Sequence, residues 1–178
     1  MQKFNVKTIS YCAVAIAAAT VLSLLKLDLP FAFGGSITFC SMFFVCLTGY
    51  FFGPAVGIAS GVAYGFLQLA FGAYIVHPAQ LLMDYPLAFG ALGLSGFFYK
   101  KKNGLYIGFV VGAVGRWFMH FLSGIIFFSE YAGDQHVIIY STIYNFSYIL
   151  PEIILTLIIL AVPVVHKQIN LLKSRLNA

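Results

Sequence analysis

Four ionisable side chains interrupt long apolar stretches of the sequence: Asp84, Arg116, His120 and Glu152. Moving a charged group out of water is costly unless the group is paired, so such residues are candidates for a functional site. Together they offer a carboxylate acceptor, a fixed cation and an imidazole that can donate and accept hydrogen bonds. These groups suit the recognition of a polar, nitrogen-rich molecule.

Helical spacing groups these residues with aromatic and small neighbours. Residues four apart lie on one face of a helix, and two such stripes occur: Arg116, His120, Gly124 and Phe128, and then Tyr140, Tyr144 and Tyr148. Asn145 flanks the second stripe, and Asp84 and Tyr85 follow the loop AYIVHPAQ. If these segments converge, they form a pocket for a small planar ligand, because aromatic faces attract cations.

Each of these features also has a purely structural interpretation. Asp84 and Arg116 could form an ion pair between helices, and His120 could be a core histidine bonded to a backbone carbonyl. The tyrosines could form an interfacial belt, and Gly124 could simply allow close helix contact. In the predicted helices these groups share one depth, the extracellular half of the bundle. This coincidence favours a pocket. For Glu152, a structural role is favoured over ligand contact.

The composition assigns the chain to the integral membrane proteins. Of the 178 residues, 61% are hydrophobic and 8% are charged, whereas a soluble domain carries about 25% charged residues. The net charge of +5 fits basic cytoplasmic loops and does not require nucleic acid as a partner. The three cysteines, Cys12, Cys40 and Cys46, lie in apolar runs, so we expect neither disulfides nor a metal site.

The apolar stretches predict six transmembrane helices, since a span needs about 20 apolar residues. Their expected bounds are 9–27, 36–52, 54–73, 79–99, 105–128 and 137–165. We therefore expect an all-α integral membrane protein, a compact six-helix bundle that forms one domain over residues 1–178. Basic residues cluster near both ends and at Lys100–Lys102, so the positive-inside rule predicts that both termini are cytoplasmic.

The segment AVAIAAA gives the first helix a surface of small residues. Small residues four apart let another helix approach closely, and the pairs here are Ala13 with Ala17 and Ala15 with Ala19. The approaching helix could belong to the bundle or to a partner protein. The sequence has no GxxxxGK[ST] phosphate loop and no HExxH motif, so we expect no enzymatic activity and no use of ATP by this chain itself.

Three segments carry a resemblance to a known family: AYIVHPAQLLMDYPLAF, VGRWFMHFLSGIIFFSEYA and YSTIYN. They resemble the thiamine-specific substrate-binding subunits (S-components of ThiT or YuaJ type) of energy-coupling-factor (ECF) vitamin transporters. The resemblance implies a six-helix fold that captures thiamine from outside, in a pocket closed by the first extracellular loop, without a cofactor. It also implies a transmembrane coupling subunit and two ATPase subunits as partners, docked through Ala13, Ala15, Ala17 and Ala19.

The resemblance further implies roles for individual residues. Asp84 matches the acid that pairs with the aminopyrimidine, where the family has glutamate. His120, Tyr140 and Asn145 match polar contacts to the pyrimidine, and Arg116 matches a basic position that faces the hydroxyethyl end. Phe128 stands where the family has tryptophan against the thiazolium. The remaining wall residues implied by the resemblance are Tyr74, Tyr85, Trp117 and Gly124, with Phe33 as the lid aromatic.

The expected function is thus capture of thiamine by an S-component in the cytoplasmic membrane of a bacterium, surrounded by membrane lipid. Two alternatives stay open at this point. The ligand could be another vitamin, a thiamine precursor or a thiamine phosphate. The chain could also be a structural membrane partner whose polar stripes only join helices.

Overall fold

The computed structural model describes residues 5–28 and 36–177, which form seven helices and a two-stranded hairpin. The helices are α1 (Val6–Leu24), α2 (Ser41–Phe52), α3 (Pro54–Gln68), α4 (Pro78–Phe98), α5 (Gly104–Phe127), α6 (Val137–Ala161) and α7 (Pro163–Asn177). Short 3-10 turns follow α3 (Leu69–Phe71) and α5 (Ser129–Ala132). Strands β1 (Lys26–Asp28) and β2 (Ser36–Thr38) pair antiparallel.

Among the described residues, five helices are long and apolar enough to cross a membrane: α1, α3 with its extension to Phe71, α4, α5 and α6. Helix α2 is also apolar but has 12 residues. Nearly all of its residues are buried, because α1, α3, α4 and α5 pack around it. The expected all-α membrane fold is therefore confirmed, and six of its helices are apolar.

The predicted helix bounds are wrong around the first loop. The first helix was expected to reach residue 27 and the second to begin at residue 36, yet α1 ends at Leu24 and α2 begins at Ser41. The residues next to these ends pair as the β1–β2 hairpin, with Lys26 opposite Thr38. Strand pairing gives hydrogen-bond partners to backbone N–H and C=O groups that would otherwise be bonded within a helix.

The last predicted helix is in fact two helices. It was expected to run to residue 165, but α6 ends at Ala161 and α7 starts at Pro163. Val162 between them is extended, with φ −67° and ψ 118°. A residue that precedes proline is driven out of the helical region by the proline ring, so Pro163 separates the membrane span from the polar helix α7.

Glycines bring α3 and α4 into backbone contact. A Cβ added at Gly61 would collide with the Phe89 carbonyl, and one at Gly65 would lie 2.6 Å from the Tyr85 carbonyl oxygen. Small residues at a helix contact let the two backbones approach without lipid between them. Helix α4, which carries Asp84, is therefore held firmly against α3.

Helix α7 folds back against the ends of α1, α2 and α4. Lys7 Nζ donates to the carbonyl oxygens of Arg175 and Leu176, at 3.2 and 3.3 Å. Lys173 Nζ lies 3.6 Å from the centre of the Tyr50 ring. Burial in this contact lowers the pKa of Lys173 to about 8. The described ends of the chain thus meet on one side of the bundle.

The alanines predicted to dock a partner do not all face outward. Ala13 and Ala17 are exposed, Ala15 is partly buried and Ala19 is fully buried. Tyr64 OH of α3 donates to the Ala19 carbonyl oxygen at 3.3 Å. Ala19 therefore packs inside the bundle, and the docking role predicted for it is wrong because no partner helix can reach it.

Candidate functional site

A cavity of about 260 Å³ lies between α4, α5, α6 and the β1–β2 hairpin. Nine of the eleven predicted binding residues line it: Tyr74, Asp84, Tyr85, Arg116, His120, Gly124, Phe128, Tyr140 and Asn145. The two helical stripes and the start of α4 thus converge, as their spacing indicated. Of the other two predicted residues, Trp117 is described below and Phe33 lies outside the described residues.

A chain of polar contacts joins α4 to α5 in the cavity wall. Gln80 Nε2 donates to Asp84 Oδ2 at 2.6 Å, and Asp84 Oδ1 lies 3.1 Å from His120 Nδ1. Arg116 Nε donates to His120 Nε2 at 3.4 Å. Because Nε2 accepts from a permanent cation, the proton of a neutral imidazole is on Nδ1, where it is donated to the carboxylate. Each oxygen of Asp84 therefore receives one donor.

Arg116 does not pair directly with Asp84. The Asp84 carboxylate instead bonds to the His120 imidazole, and Arg116 acts on the carboxylate through that imidazole. The guanidinium lies over the ring of Phe89, with Cζ 4.5 Å from the ring centre. An arginine over an aromatic face is a favourable arrangement. The ion pair considered from the sequence is thus replaced by a relay through His120.

Gln80 is a site residue that the sequence prediction missed. It is 2% exposed, and its Nε2 also donates to the Tyr74 carbonyl oxygen at 3.1 Å. Its Oε1 accepts from the Val76 amide at 3.1 Å. Gln80 therefore joins the loop before α4 to the carboxylate of Asp84. Its position four residues before Asp84 could have identified it, because residues four apart on a helix are neighbours.

Helix α4 changes its pitch where it presents Asp84 to the cavity. Met83–Leu87 form a π-helical turn that contains Pro86. Proline has no N–H to donate to the preceding turn, and π-helical turns often occur at functional sites. On a regular α-helix adjacent residues point about 100° apart. Here both Asp84 and Tyr85 line the cavity.

Asn145 on α6 is 3% exposed, and its amide is hydrogen-bonded at both ends. Nδ2 donates to the carbonyl oxygens of Ser141 and His120 at 2.9 and 3.3 Å, and Oδ1 accepts from Tyr148 OH at 2.6 Å. A Cβ added at Gly124 would collide with Ser141 Oγ. Gly124 therefore lines the cavity and also allows α5 to approach α6, so both interpretations of this glycine apply.

Aromatic rings form the other part of the cavity wall. Phe128 stacks on Tyr74 with the ring centres 6.2 Å apart, and the hydroxyls of Tyr74 and Tyr131 are 3.0 Å apart. Tyr140 and Tyr144 stack at 5.9 Å on α6. All five residues line the cavity, which therefore offers several aromatic faces to a flat or cationic group.

Trp117 does not line the cavity, in contrast to its predicted place in the wall. Its ring stacks on Phe146 and Phe121, with centre-to-centre distances of 4.5 and 5.1 Å. Trp117 follows Arg116 by one residue, so its side chain leaves α5 about 100° further round the helix. With Arg116 in the wall, Trp117 packs between α5 and α6 instead.

Glu152 joins three segments of the chain by hydrogen bonds. Its buried carboxylate accepts from Thr38 Oγ1 at 2.5 Å, Ser41 Oγ at 3.1 Å and the Met42 amide at 3.0 Å. Helix α2 has no side-chain cap of its own at Cys40. Glu152 therefore places a negative charge at the N-terminus of α2, where the helix dipole favours an anion.

The geometry is that of a binding site for a small ring system with N–H donors and positive charge. Asp84 and Asn145 supply oriented polar groups, and the stacked rings supply apolar faces, as in other small-molecule sites. Within residues 5–28 and 36–177, no group of three His, Cys, Asp or Glu is arranged to hold a metal ion.

Apolar helices around a polar, aromatic-lined cavity define a multi-pass membrane protein that binds a small molecule. A family model described as "Thiamine transporter protein (Thia_YuaJ)" matches residues 9–172. The chain belongs to this family of thiamine transporter proteins, as the resemblance indicated. It is a transport protein of the cytoplasmic membrane and not an enzyme.

Individual relatives and a solved structure agree with this family. Thiamine transporter ThiT of Bacillus subtilis (strain 168) is 34% identical over 164 residues, which cover 83% of this chain and 85% of the relative. Thiamine transporter ThiT of Lacticaseibacillus paracasei is 29% identical over 121 residues, which cover 58% and 60%. A solved structure of ThiT from Listeria monocytogenes matches with a TM-score of 0.76 and 27% identity, over 86% of this chain and 90% of that chain.

Proposed function

We propose that the cavity binds thiamine, with Asp84 at the amino group of the pyrimidine ring. The observation that carries the proposal is the Asp84 carboxylate, held by Gln80 and His120 in an aromatic-lined cavity. A carboxylate has about four acceptor positions on its two oxygens, and these two residues use one on each oxygen. The aminopyrimidine can donate to a remaining position, with Tyr140 and Asn145 beside it.

The positive charge of the thiazolium ring favours the opposite end of the cavity. Arg116 lies on α5 and Phe128 directly follows the last residue of that helix, twelve positions further along the chain, which is about 18 Å at 1.5 Å per residue. A thiazolium beside the guanidinium of Arg116 would be repelled, whereas the stacked rings of Phe128 and Tyr74 attract a cation. We therefore propose that Arg116 acts at the pyrimidine end through His120, and not at the hydroxyethyl end.

Calorimetric titration of the purified protein tests the proposed identity of the ligand. We expect one thiamine per chain and no heat of binding with riboflavin. Titration with thiamine monophosphate and with the isolated aminopyrimidine precursor shows which end of the ligand carries recognition. Binding of riboflavin without binding of thiamine would contradict the proposal.

We also propose that release inside the cell depends on an ECF coupling subunit and two ATPase subunits, with no cofactor on this chain. The sequence has no phosphate loop of its own, and α1 keeps Ala13 and Ala17 exposed. These two alanines form a small-residue surface on which a partner helix can pack closely.

A bulky side chain on this surface tests the docking. Ala17→Trp is expected to abolish thiamine uptake in cells that carry the coupling module, while the purified protein still binds thiamine. Ile143→Trp is the matched control, because Ile143 is 62% exposed on α6, and uptake should persist. Normal uptake by Ala17→Trp would exclude docking through this surface.

A further inference from the structure

The β1–β2 hairpin is bonded to α6 through one buried carboxylate. Strand β2 contributes Ser36 and Thr38 to the lining of the cavity. Thr38 Oγ1 donates to Glu152 Oε2 at 2.5 Å, across 114 residues of sequence. The part of the hairpin that faces the cavity is therefore connected directly to a helix of the cavity wall.

Glu152 lies on the same face of α6 as Asn145. The two residues are seven apart, which is close to two full turns of a helix, and each is 3% exposed. Ile149 between them is fully buried. One face of α6 therefore lines the cavity at Asn145 and holds the hairpin at Glu152.

Glu152, Thr38, Ser41 and Met42 form one connected set of hydrogen bonds, which we call the anchor. Besides the bond from Thr38, Glu152 accepts from Ser41 Oγ at 3.1 Å and from the Met42 amide at 3.0 Å. The hydroxyls of Thr38 and Ser41 are 2.8 Å apart. Cys40, between β2 and α2, has a left-handed backbone with φ 58°. This sharp turn between the strand and the helix is thus fixed on both sides by the same carboxylate.

We propose that Glu152 is a positioning residue that holds the β1–β2 hairpin against the cavity and thereby slows the escape of bound ligand. The proposal rests on thiamine binding in this cavity, as proposed above. Hydrogen-bond geometry carries this role, and charge is not required. A glutamine at this position can accept from Ser41 and Met42 through its oxygen and donate to Thr38 through its nitrogen.

The dissociation rate of radiolabelled thiamine from the purified protein, chased with unlabelled thiamine, tests the proposal. Thr38→Val is compared with Thr142→Val, because both make the same chemical change and the Thr142 hydroxyl, which does not line the cavity, bonds to the Ile138 carbonyl of its own helix rather than to Glu152. Loss of a hydrogen bond to a charged group is expected to speed dissociation by about tenfold or more. We expect this for Thr38→Val and Glu152→Ala, and near wild-type rates for Thr142→Val and Glu152→Gln.

A double variant separates the anchor from direct ligand contact. If Thr38 acts through Glu152, Thr38→Val adds nothing to the dissociation rate of Glu152→Ala, since the two changes break one interaction. Rates that multiply would show that Thr38 contacts thiamine itself and would overturn the proposal. A Thr38→Val rate equal to that of Thr142→Val would also overturn it, even if Glu152→Ala does not fold.

The same measurement distinguishes this proposal from the proposed function. Absence of thiamine binding by the wild-type protein would refute the function, and the anchor with it. Binding with unchanged dissociation rates in every folded variant would refute the anchor alone and leave Glu152 as a cap of α2.

Discussion

Replacing Asp84 by asparagine keeps the shape of the side chain and removes one acceptor oxygen. In the wild-type protein, the two carboxylate oxygens face Gln80 Nε2 at 2.6 Å and His120 Nδ1 at 3.1 Å. In Asp84→Asn, the new NH2 group must face one of these donors. If it faces His120, the imidazole proton can move to Nε2, but Nε2 then meets the N–H of Arg116 at 3.4 Å.

Every arrangement of Asp84→Asn therefore leaves two donors facing each other. The side chains of Asp84 and His120 are 12% and 15% exposed, so little water is available to relieve the conflict. An unsatisfied buried group costs about 1–3 kcal/mol. In the bound state the amino group of thiamine would donate to a neutral amide oxygen in place of a carboxylate, and hydrogen bonds to ionised groups are the stronger kind, so part of the loss falls on binding. We expect the Kd for thiamine to rise about 5- to 150-fold.

Calorimetric titration of detergent-purified protein measures this change. Asp134→Asn is the matched control, because it makes the same chemical change at an exposed loop residue and should leave the Kd unaltered. The midpoint of thermal unfolding without ligand is measured on the same samples. A Kd for Asp84→Asn within twofold of the wild type would refute the role of this carboxylate in recognition. A drop in unfolding midpoint alone would assign Asp84 to stability.

Three further outcomes follow from contacts described above. Gln80→Leu removes the donor that holds Asp84 and should weaken thiamine binding about tenfold by calorimetry, at roughly 1.4 kcal/mol for a lost hydrogen bond; binding as tight as that of the wild type would contradict this. Gly124→Ala should lower the free energy of unfolding by about 1–3 kcal/mol, because its Cβ overpacks against Ser141. The pKa of Lys173 is lowered from 10.5 to about 8, so the unfolded state binds more protons between these values and stability should rise with pH there. Lys173→Met should abolish that rise in thermal unfolding.

Helical periodicity was enough to predict most of the cavity wall. Spacing of four places Arg116, His120, Gly124 and Phe128 on one face whatever the surrounding structure, and all four line the cavity. The same geometry accounts for the position of Trp117, whose side chain leaves α5 about 100° further round the helix than that of Arg116 and stacks on Phe146 and Phe121. The order of these residues along the helices also predicted their common depth.

Contacts between distant segments could not be predicted in the same way. The bond between Thr38 and Glu152 joins residues 114 apart, and no local pattern marks such a pair. The burial of Ala19 depends on Tyr64 of another helix, so the alanine repeat could not show which alanines face outward. Gln80 is an intermediate case, because its spacing from Asp84 was visible but its burial was not.

The bond from Lys7 to the carbonyl of Leu176 has a consequence for how the protein is made. It spans 169 residues of sequence, and domains form from the N-terminus as the chain emerges from the ribosome. Lys7 of α1 can therefore form this bond only after the following 169 residues have been synthesised. Such non-local contacts form late in folding. A nascent chain that lacks α7 therefore cannot form the contacts between Lys7 and the carbonyls of Arg175 and Leu176.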